Sequence, residues 1–299
     1  MPLVTAVITT HKREAKIVER ALKSVLAQTH TELEVFVVDD SPADYPARNS
    51  VREMVESYAD RNVTYIAHEK CSGACVARNT GLEACHGEFV AFLDDDDEWL
   101  PEKIEKQLGG FVDDEIALVY CKDVIRNEMT GETKERNVEI HTGFVFDSLI
   151  KGNYIGSTSF PLLRTAALKE VGGFDPLQQS AQDFDVWLRI AEKYKVNYVD
   201  ESLIVYYVHD GEQISKGSTK RINGQERIIE KNIEYLKNHR AAYWIRTIKL
   251  VPEYAKNKQY GKALGTWFKA VFKCPWKFKA NLTYLYSFFR ILFESKAKQ

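Results

Sequence analysis

FVAFLDDDDEWLPEK, residues 89–103, runs an apolar stretch directly into four consecutive carboxylates. Phe89 to Leu93 reads as a buried strand, a short apolar run bounded by polar residues. It ends on Asp94, Asp95, Asp96 and Asp97, and Trp99, Leu100 and Pro101 follow at once. Like charges at this spacing push at least one carboxyl pKa up unless something positive sits among them. A bland alternative is an acidic approach to a helix starting at Pro101, where negative charge suits the helix dipole. One carboxylate would serve that purpose, so the source of the missing positive charge is the question the rest of the sequence must answer.

Upstream, strands and helices alternate. Val4 to Thr9 is an apolar run, and Glu14 to Gln28 carries Ile17, Ala21, Leu22, Val25 and Leu26 at helical spacing. Leu33 to Val38 is a second strand ending at Asp39-Asp40, Val51 to Ala59 a helix, Val63 to Ala67 a strand, and Ala74 to Cys85 a helix. Four strands with intervening helices imply a parallel sheet covered on both faces, and such sheets bind ligands at the carboxyl ends of their strands. Those ends read TTHKR (9–13), DDSPAD (39–44), AHEKCSG (67–73) and DDDDEW (94–99). Neither GxxxxGK[ST] nor a GxGxxG after the first strand is present, which weighs against simple nucleotide hydrolases and dinucleotide dehydrogenases. Downstream, Ile116 to Arg126 reads as two strands, MTGET (129–133) as a turn, Phe144 to Ile150 as a helix, GGFD (172–175) as a turn and Asp183 to Tyr194 as a helix. Val196 to Val199 and Leu203 to His209 read as two closing strands.

The 299 residues suit one large α/β domain with a smaller appendage, taken as 1–219 and 220–299. A formal net charge of −2 hides an asymmetry: from Lys220 onward there are 18 Lys or Arg against 5 Glu, leaving 23 against 38 acidic residues before it. Five cysteines (71, 75, 85, 121 and 274) lack CxxC spacing, and no neighbouring histidine or second cysteine pair completes a zinc set, so reduced thiols in a cytoplasmic protein fit better. The chain enters a strand at Leu3 without a signal-peptide pattern, and LTYLYSFFRILF (282–293) is too short to span a bilayer.

Four stretches, VTAVITTHKR, VFVVDDS, ACVARNTGLEACHGEFVAFLDDDDEW and GGFDPLQQSAQDFDVWLRI, together resemble the family 2 glycosyltransferases over about residues 3–210. The resemblance implies the GT-A fold, a Rossmann-like α/β sheet, and transfer of a sugar from a nucleotide diphosphate. It implies Asp94 and Asp96 as the DxD carboxylates, with Asp96 the direct ligand of Mg²⁺ or Mn²⁺, Asp94 and Asp95 toward the nucleotide-sugar, and His209 a third metal ligand. Hard oxygen donors suit either ion, which acts as a Lewis acid on the leaving diphosphate. Asp39 falls where the family contacts uracil, and a carboxylate accepts the ring N–H of uracil or thymine. Thr9 and His11 occupy the loop beside base and ribose, where the family commonly has a proline before the threonine and an aromatic residue at His11. Arg13 either reaches a phosphate or is a solvated residue at a helix start. Arg78 would fork onto phosphate oxygens or onto the aspartate run itself. Asn79 fixes a turn or contacts the ribose. Asp183 matches the general base of inverting members. Gln182 stands where the family has glutamate, and Asp185 is the rival base.

The implied reaction is inverting, metal-dependent addition of one sugar from a UDP-sugar, with dTDP-sugar second, to a glycan or lipid-linked acceptor in polysaccharide or glycolipid synthesis. The processive pattern QxxRW is absent. Two alternatives compete: a sugar-phosphate nucleotidyltransferase, which needs a Gly-rich loop where TTHKR stands, and a non-catalytic nucleotide-sugar-binding module. In the tail, KNKQYGKALGTWFKAVFKCP (256–275) has the spacing of a single tetratricopeptide-like helix. Basic residues interleave there with Trp244, Trp267, Phe268, Phe272, Trp276, Phe278, Tyr284, Tyr286, Phe288 and Phe289. This pattern predicts peripheral attachment of residues 240–299 to an anionic membrane, on the inner face of the cell membrane. No nucleic-acid-reading module is recognisable.

Overall fold

The structure, a computed structural model, describes residues 1–136, 139–208 and 218–297. Strands β1 (Val4–Thr10), β2 (Leu33–Asp39), β3 (Val63–Ala67) and β4 (Phe89–Asp94) lie parallel in the spatial order β3-β2-β1-β4. Helices α1 (Ala15–Leu26), α2 (Arg48–Glu56) and α3 (Ala74–Ala84) join them. Val4, Val7, Ile8, Val37, Val38, Val90 and Leu93 are fully buried, as a sheet covered on both faces requires. The register does the functional work. Thr9 pairs with both Val38 and Asp94, Thr10 with Asp39, and Asp39 with Ala67, so the polar strand ends meet along one edge.

Helix α3 is held close to this edge by Gly81. A Cβ there would lie 2.3 Å from Val7 Cγ1, so a side chain would lift the helix off β1. Gly73, just before the helix, has φ +95°, a conformation that glycine adopts without steric cost.

Beyond β4 come β5 (Glu98–Trp99), α4 (Lys103–Leu108), β6 (Ile116–Asn127), β7 (Thr133–Glu135), α5 (Phe146–Leu149), β8 (Leu162–Arg164), α6 (Thr165–Glu170), α7 (Gln182–Lys193) and β9 (Lys195–Val208). The sheet continues β4-β8-β6-β9-β5, with β8 antiparallel to β4 and β6, and β6 parallel to β9. Two sequence expectations are corrected. Residues 116–126 form one strand rather than two, because Asp123, which interrupts the apolar pattern, is buried in ion-pair contact with Arg136 (3.0 Å). The two closing strands are likewise one, since a bulge between the pairs Cys121–Val199 and Lys122–Ser202 absorbs Asp200 and Glu201. Strands β5 and β8, of two and three residues, were not anticipated. The helix expected from Pro101 begins at Lys103.

The chain forms two compact units: residues up to 176 with 183–208, and 177–182 with 218–297. The second holds α8 (Ser218–Lys231), α9 (Ile233–Asn238), α10 (Arg240–Ile248), α11 (Leu250–Lys256), α12 (Tyr260–Lys273) and α13 (Phe278–Ala297) around a core of Ile222, Trp244, Ile248, Val251, Tyr254 and Phe288. Ala263 and Ala270, seven residues apart on one face of α12, are fully buried in it. The tail aromatics divide. Trp244 and Phe288 are core and Trp267 and Tyr284 pack against it, whereas Phe268, Phe272, Trp276, Phe278, Tyr286 and Phe289 are exposed. Among the described residues no helix is long and apolar enough to cross a membrane.

Candidate active site

The positive charge missing beside the aspartate run comes from two arginines, one in the loop before α1 and one in α3. Arg13, at the approach to α1, donates from Nε to Asp95 Oδ1 (3.0 Å) and from Nη2 to Asp96 Oδ2 (2.7 Å). Arg78, buried in α3 with its guanidinium 5.5 Å from the Phe174 ring centre, donates to Asp94 Oδ1 (2.8 Å). Both are charge-assisted bonds. The segment after α5 adds hydroxyls: Thr158 donates to Asp94 Oδ1 (2.9 Å), and Ser159 to Asp97 Oδ2 (2.6 Å). Two guanidiniums do not balance four carboxylates. Burial, against the opposing charge of Arg13, pushes the Asp95 carboxyl up to about 6. Burial and then the charge of Asp94 raise Asp97 well above the ordinary range. Asp94 and Asp96, in contrast, keep 29% and 27% of their side chains in solvent.

The nucleotide-side candidates line the neighbouring strand ends. Thr9 sits beside Asp94 in the sheet, and His11 is exposed just past β1, with Nδ1 2.9 Å from the Asp40 carbonyl oxygen. Lys12 adopts φ +53°, with its N–H donating to Ser41 Oγ (2.8 Å). Asp39 is buried, accepting the Ser41 N–H at Oδ1 (2.8 Å) and the Tyr65 hydroxyl at Oδ2 (2.7 Å). Burial, then Asp39, pushes the Tyr65 hydroxyl up to about 12. Asn79 takes the turn-fixing role: its amide donates to the Phe174 carbonyl (2.7 Å) and its oxygen accepts the Phe174 N–H (2.8 Å). His209 lies outside the described residues.

Asp183 and Asp185 enter the same helix, α7, with opposite fates. Asp185 is buried, and Arg189 holds its Oδ2 with Nε (3.1 Å) and Nη2 (2.8 Å) while also donating to the Val171 and Gly173 carbonyls. That clamp fixes the GGFD turn and ties Asp185 into the fold. Asp183 is only partly covered, and Asn153 Nδ2 donates to its Oδ2 (3.1 Å). It nevertheless sits deep among protein atoms, and this desolvation pushes its carboxyl up to about 6 against the Phe184 N–H and Arg78. Asp94 is near enough to add to the rise. Trp187 is core, with its indole N–H on the Gly156 carbonyl (3.1 Å).

The site thus combines a carboxylate-lined strand edge faced by arginines with a nearby carboxyl that burial raises to about 6. The model of glycosyl transferase family 2 matches residues 5–172, more than half of the chain. This chain is a family 2 glycosyltransferase. It is 28% identical over 231 residues to the putative colanic acid biosynthesis glycosyl transferase WcaA of Escherichia coli K12, covering 75% of this chain and 78% of that one. It is also 28% identical over 198 residues to the E. coli UDP-Glc:alpha-D-GlcNAc-diphosphoundecaprenol beta-1,3-glucosyltransferase WfgD, covering 66% and 73%. Among solved structures, S. aureus TarS 1-349 in complex with UDP-GlcNAc superposes with a TM-score of 0.68 at 20% identity, over 90% of this chain and 81% of that one. The mannosyltransferase PcManGT of Pyrobaculum calidifontis, in complex with GDP-Man and Mn²⁺, gives 0.58 at 21% identity, over 100% and 76%. The glycosyltransferase's fold is therefore GT-A, as the resemblance implied. Family membership also removes the nucleotidyltransferase alternative.

Several residues that shape the glycosyltransferase's site escaped the sequence reading. Thr158, Ser159 and Asn153 all lie in KGNYIGSTSF (151–160), a stretch to which the sequence assigned no site residue. Their signal was a run of hydroxyls and amides beside apolar residues that become fully buried, such as Ile155. Nothing local in the sequence says which of them turn toward Asp94, Asp97 and Asp183.

Proposed function

We propose that this glycosyltransferase moves one sugar, with inversion, from a UDP-sugar to a hydroxyl of a glycan or lipid-linked acceptor, aided by Mn²⁺ or Mg²⁺. The observation that carries the reading is the pairing of an over-acidic strand end, Asp94 to Asp97, with Asp183, whose carboxyl burial pushes up to about 6. A general base works best when its pKa lies near the operating pH. Asp183 takes the acceptor's hydroxyl proton as that oxygen bonds to the anomeric carbon and the bond to the diphosphate breaks, with Asn153 orienting the carboxylate.

The donor set at β4 fits a hard divalent cation. Asp94 and Asp96 expose oxygen atoms, and the run still carries more negative charge than Arg13 and Arg78 offset. Such an ion commonly takes one or two carboxylates plus phosphate oxygens, so Asp94 and Asp96, with His209 as third candidate, would hold it. When bound, the ion neutralises charge developing on the leaving diphosphate. On this reading Arg13, which now bonds Asp95 and Asp96, exchanges carboxylate for phosphate contacts when the donor binds. Asp39 is the candidate acceptor for the N–H of uracil, or second of thymine, with Thr9 and His11 alongside base and ribose. WfgD, named for a UDP-Glc donor, and TarS, solved in complex with UDP-GlcNAc, support this donor; WfgD, named for a diphosphoundecaprenol-linked acceptor, supports a lipid-linked acceptor, and WcaA, named for colanic acid biosynthesis, supports a place in polysaccharide synthesis.

The second unit fits attachment to an anionic bilayer, the side on which a lipid-linked acceptor would be met. Phe272, Trp276 and Phe278 stand in solvent beside Lys269, Lys273, Lys277 and Lys279. Calorimetric titration with UDP and then GDP, each with and without Mn²⁺, on wild type and Asp96→Ala, tests the donor reading. Metal-dependent UDP binding that the substitution removes is expected. Binding indifferent to both metal and substitution would overturn the cation site.

A further inference from the structure

Three adjacent strand ends bring together a set of side chains that the transfer reaction does not use as a set. His11 follows β1, Asp40 follows β2 and Cys71 follows β3. Their ligating atoms all lie within 4.8 Å of one another. Cys71 Sγ is 3.4 Å from Asp40 Oδ2 and 4.0 Å from His11 Nδ1. A tetrahedral ion with bonds of about 2.3 Å to sulfur and about 2.0 Å to nitrogen or oxygen spans ligand pairs of about 3.5 Å. Of the three edges, Cys71–Asp40 is already in place, Cys71–His11 is about half an ångström too long, and His11–Asp40 lies within 4.8 Å and closes as the His11 ring turns.

The carboxylate is pre-organised for such a role. Asp40 Oδ1 accepts the Ser72 N–H (2.7 Å) and pairs with His68 Nδ1 (2.7 Å), whose other nitrogen meets Thr80 Oγ1 (2.9 Å). Oδ2 accepts the Gly73 N–H (2.8 Å) and turns toward the thiol. Burial works to raise the Asp40 carboxyl, but these bonds outweigh it and hold it ionised below its ordinary value. Outer partners of this kind orient a metal-binding carboxylate. Cys71 is the exposed cysteine of the five, the other four being buried.

We propose that His11, Asp40 and Cys71 form a site for a thiophilic divalent ion of the zinc class, and that this ion and the nucleotide base exclude one another. The second half rests on the placement of the base beside His11. The site differs in kind from the Asp94–Asp96 pair: thiolate and imidazole favour zinc-class ions, whereas carboxylates alone favour Mg²⁺ and Mn²⁺. Binding replaces the Cys71 S–H proton with the metal and releases one proton to solvent. The His11 ring gives up its Nδ1–H bond to the Asp40 carbonyl, and the proton passes through solvent to Nε2, which frees the Nδ1 lone pair for the metal. Three protein ligands leave the fourth position of a tetrahedral ion to water. The sequence reading dismissed a zinc set because it looked for local spacing, and these ligands come from positions 11, 40 and 71, joined only by the parallel sheet.

The test uses the full chain in excess Mg²⁺, so that the hard-oxygen site is occupied. Co²⁺ is titrated as the zinc surrogate, followed by the thiolate-to-cobalt charge-transfer band, and displaced with Zn²⁺. Wild type is expected to show the band, and Cys71→Ser to lose it. His11→Ala, with sulfur still present, is expected to weaken binding by about 100-fold or more, at or beyond the cost of losing an outer partner. No band in wild type, or a band that survives Cys71→Ser, would overturn the site. Saturating UDP should bleach the band. If the band is lost in Cys71→Ser yet ignores bound UDP, the exclusion fails, and with it the seat of the base at His11, while UDP that does not bind at all sinks the donor reading separately.

Discussion

The aspartate run of the first unit and the aromatic stretch from Trp267 to Phe293 in the second are both groupings that folding tends to disperse. In the first unit the grouping is kept by partners: Arg13 and Arg78 reach three of the four carboxylates, and Thr158 and Ser159 reach two. Even so, burial lifts Asp95 and Asp97 toward protonation. In the second unit Phe288 joins the core and Trp267 packs against it, while Phe272, the most exposed at 82%, and Trp276 at 62% stand in water. An unbalanced charge cluster calls for a small cation. A row of solvated rings flanked by lysines calls for an apolar, anionic surface. The difference also sorts substitutions: in the first unit they should separate chemistry from folding, and in the second folding from attachment.

The sharpest separation is within α7. Asp183→Asn should lower kcat by about 10²- to 10⁴-fold, the usual worth of a general base, with UDP binding by calorimetry unchanged. Asp185→Asn should instead cost about 3 kcal/mol of stability, because it leaves the Arg189 clamp half-paired in a buried site. Rate measurements beside denaturant unfolding decide. If Asp185→Asn stays folded and loses the rate while Asp183→Asn keeps it, the assignment of base and clamp is reversed.

That pair also shows how far the sequence could be read. The parallel half of the sheet was legible, because Val- and Ile-rich runs ending in TTHKR, DDSPAD and DDDDEW carry both periodicity and motif. The preference for Asp183 over Asp185 came from resemblance, and the different surroundings of the two, with Arg189 clamping Asp185, became visible only once α7 packed beside the Val171–Gly173 turn. β8 was invisible because three residues, Leu162 to Arg164, give no period, and its place between β4 and β6 is decided by tertiary pairing. β9 was split because Asp200 and Glu201 look like a turn, where the structure makes a bulge. In the tail, composition foretold aromatic helices but not which rings are core. Phe288 is 2% exposed and its neighbour Phe289 42%, a distinction that rests on helix phase against partners the sequence does not name.

Phe288→Ala should therefore cost the second unit about 3 kcal/mol or more, through lost burial and the cavity left behind. Thermal unfolding followed by tryptophan fluorescence reads this. A loss below about 0.5 kcal/mol, the range of surface changes, would place Phe288 outside the core.

A smaller effect has a definite sign with pH. The carboxyl of Asp183, at about 6 in the folded chain against 3.8 ordinarily, binds its proton more tightly folded than unfolded. Its stabilising contribution is thus complete below pH 3.8 and is lost as pH rises through 6. Asp183→Asn, which cannot ionise, should match wild type near pH 3.5 and exceed it by up to about 3 kcal/mol at pH 7.5. The same ionisation gives kcat/KM an acid limb near pH 6, rising with pH. A stability gap that is constant across this range would show that desolvation of Asp183 is not what sets its titration.

The least effect on folding, and the clearest on attachment, is expected at the solvated rings. Replacing Phe272, Trp276 and Phe278 together with serine removes three exposed side chains, and each such surface change usually moves stability by no more than about 0.5 kcal/mol. Binding to vesicles containing anionic lipid should fall sharply, while neutral vesicles or higher salt should weaken the wild type as well, because the flanking lysines act through a screened surface potential. Wild type that ignores anionic vesicles at low salt would leave these rings without a bilayer. A triple variant that unfolds would mean they are covered in the native chain, and the contrast between the two units would then vanish.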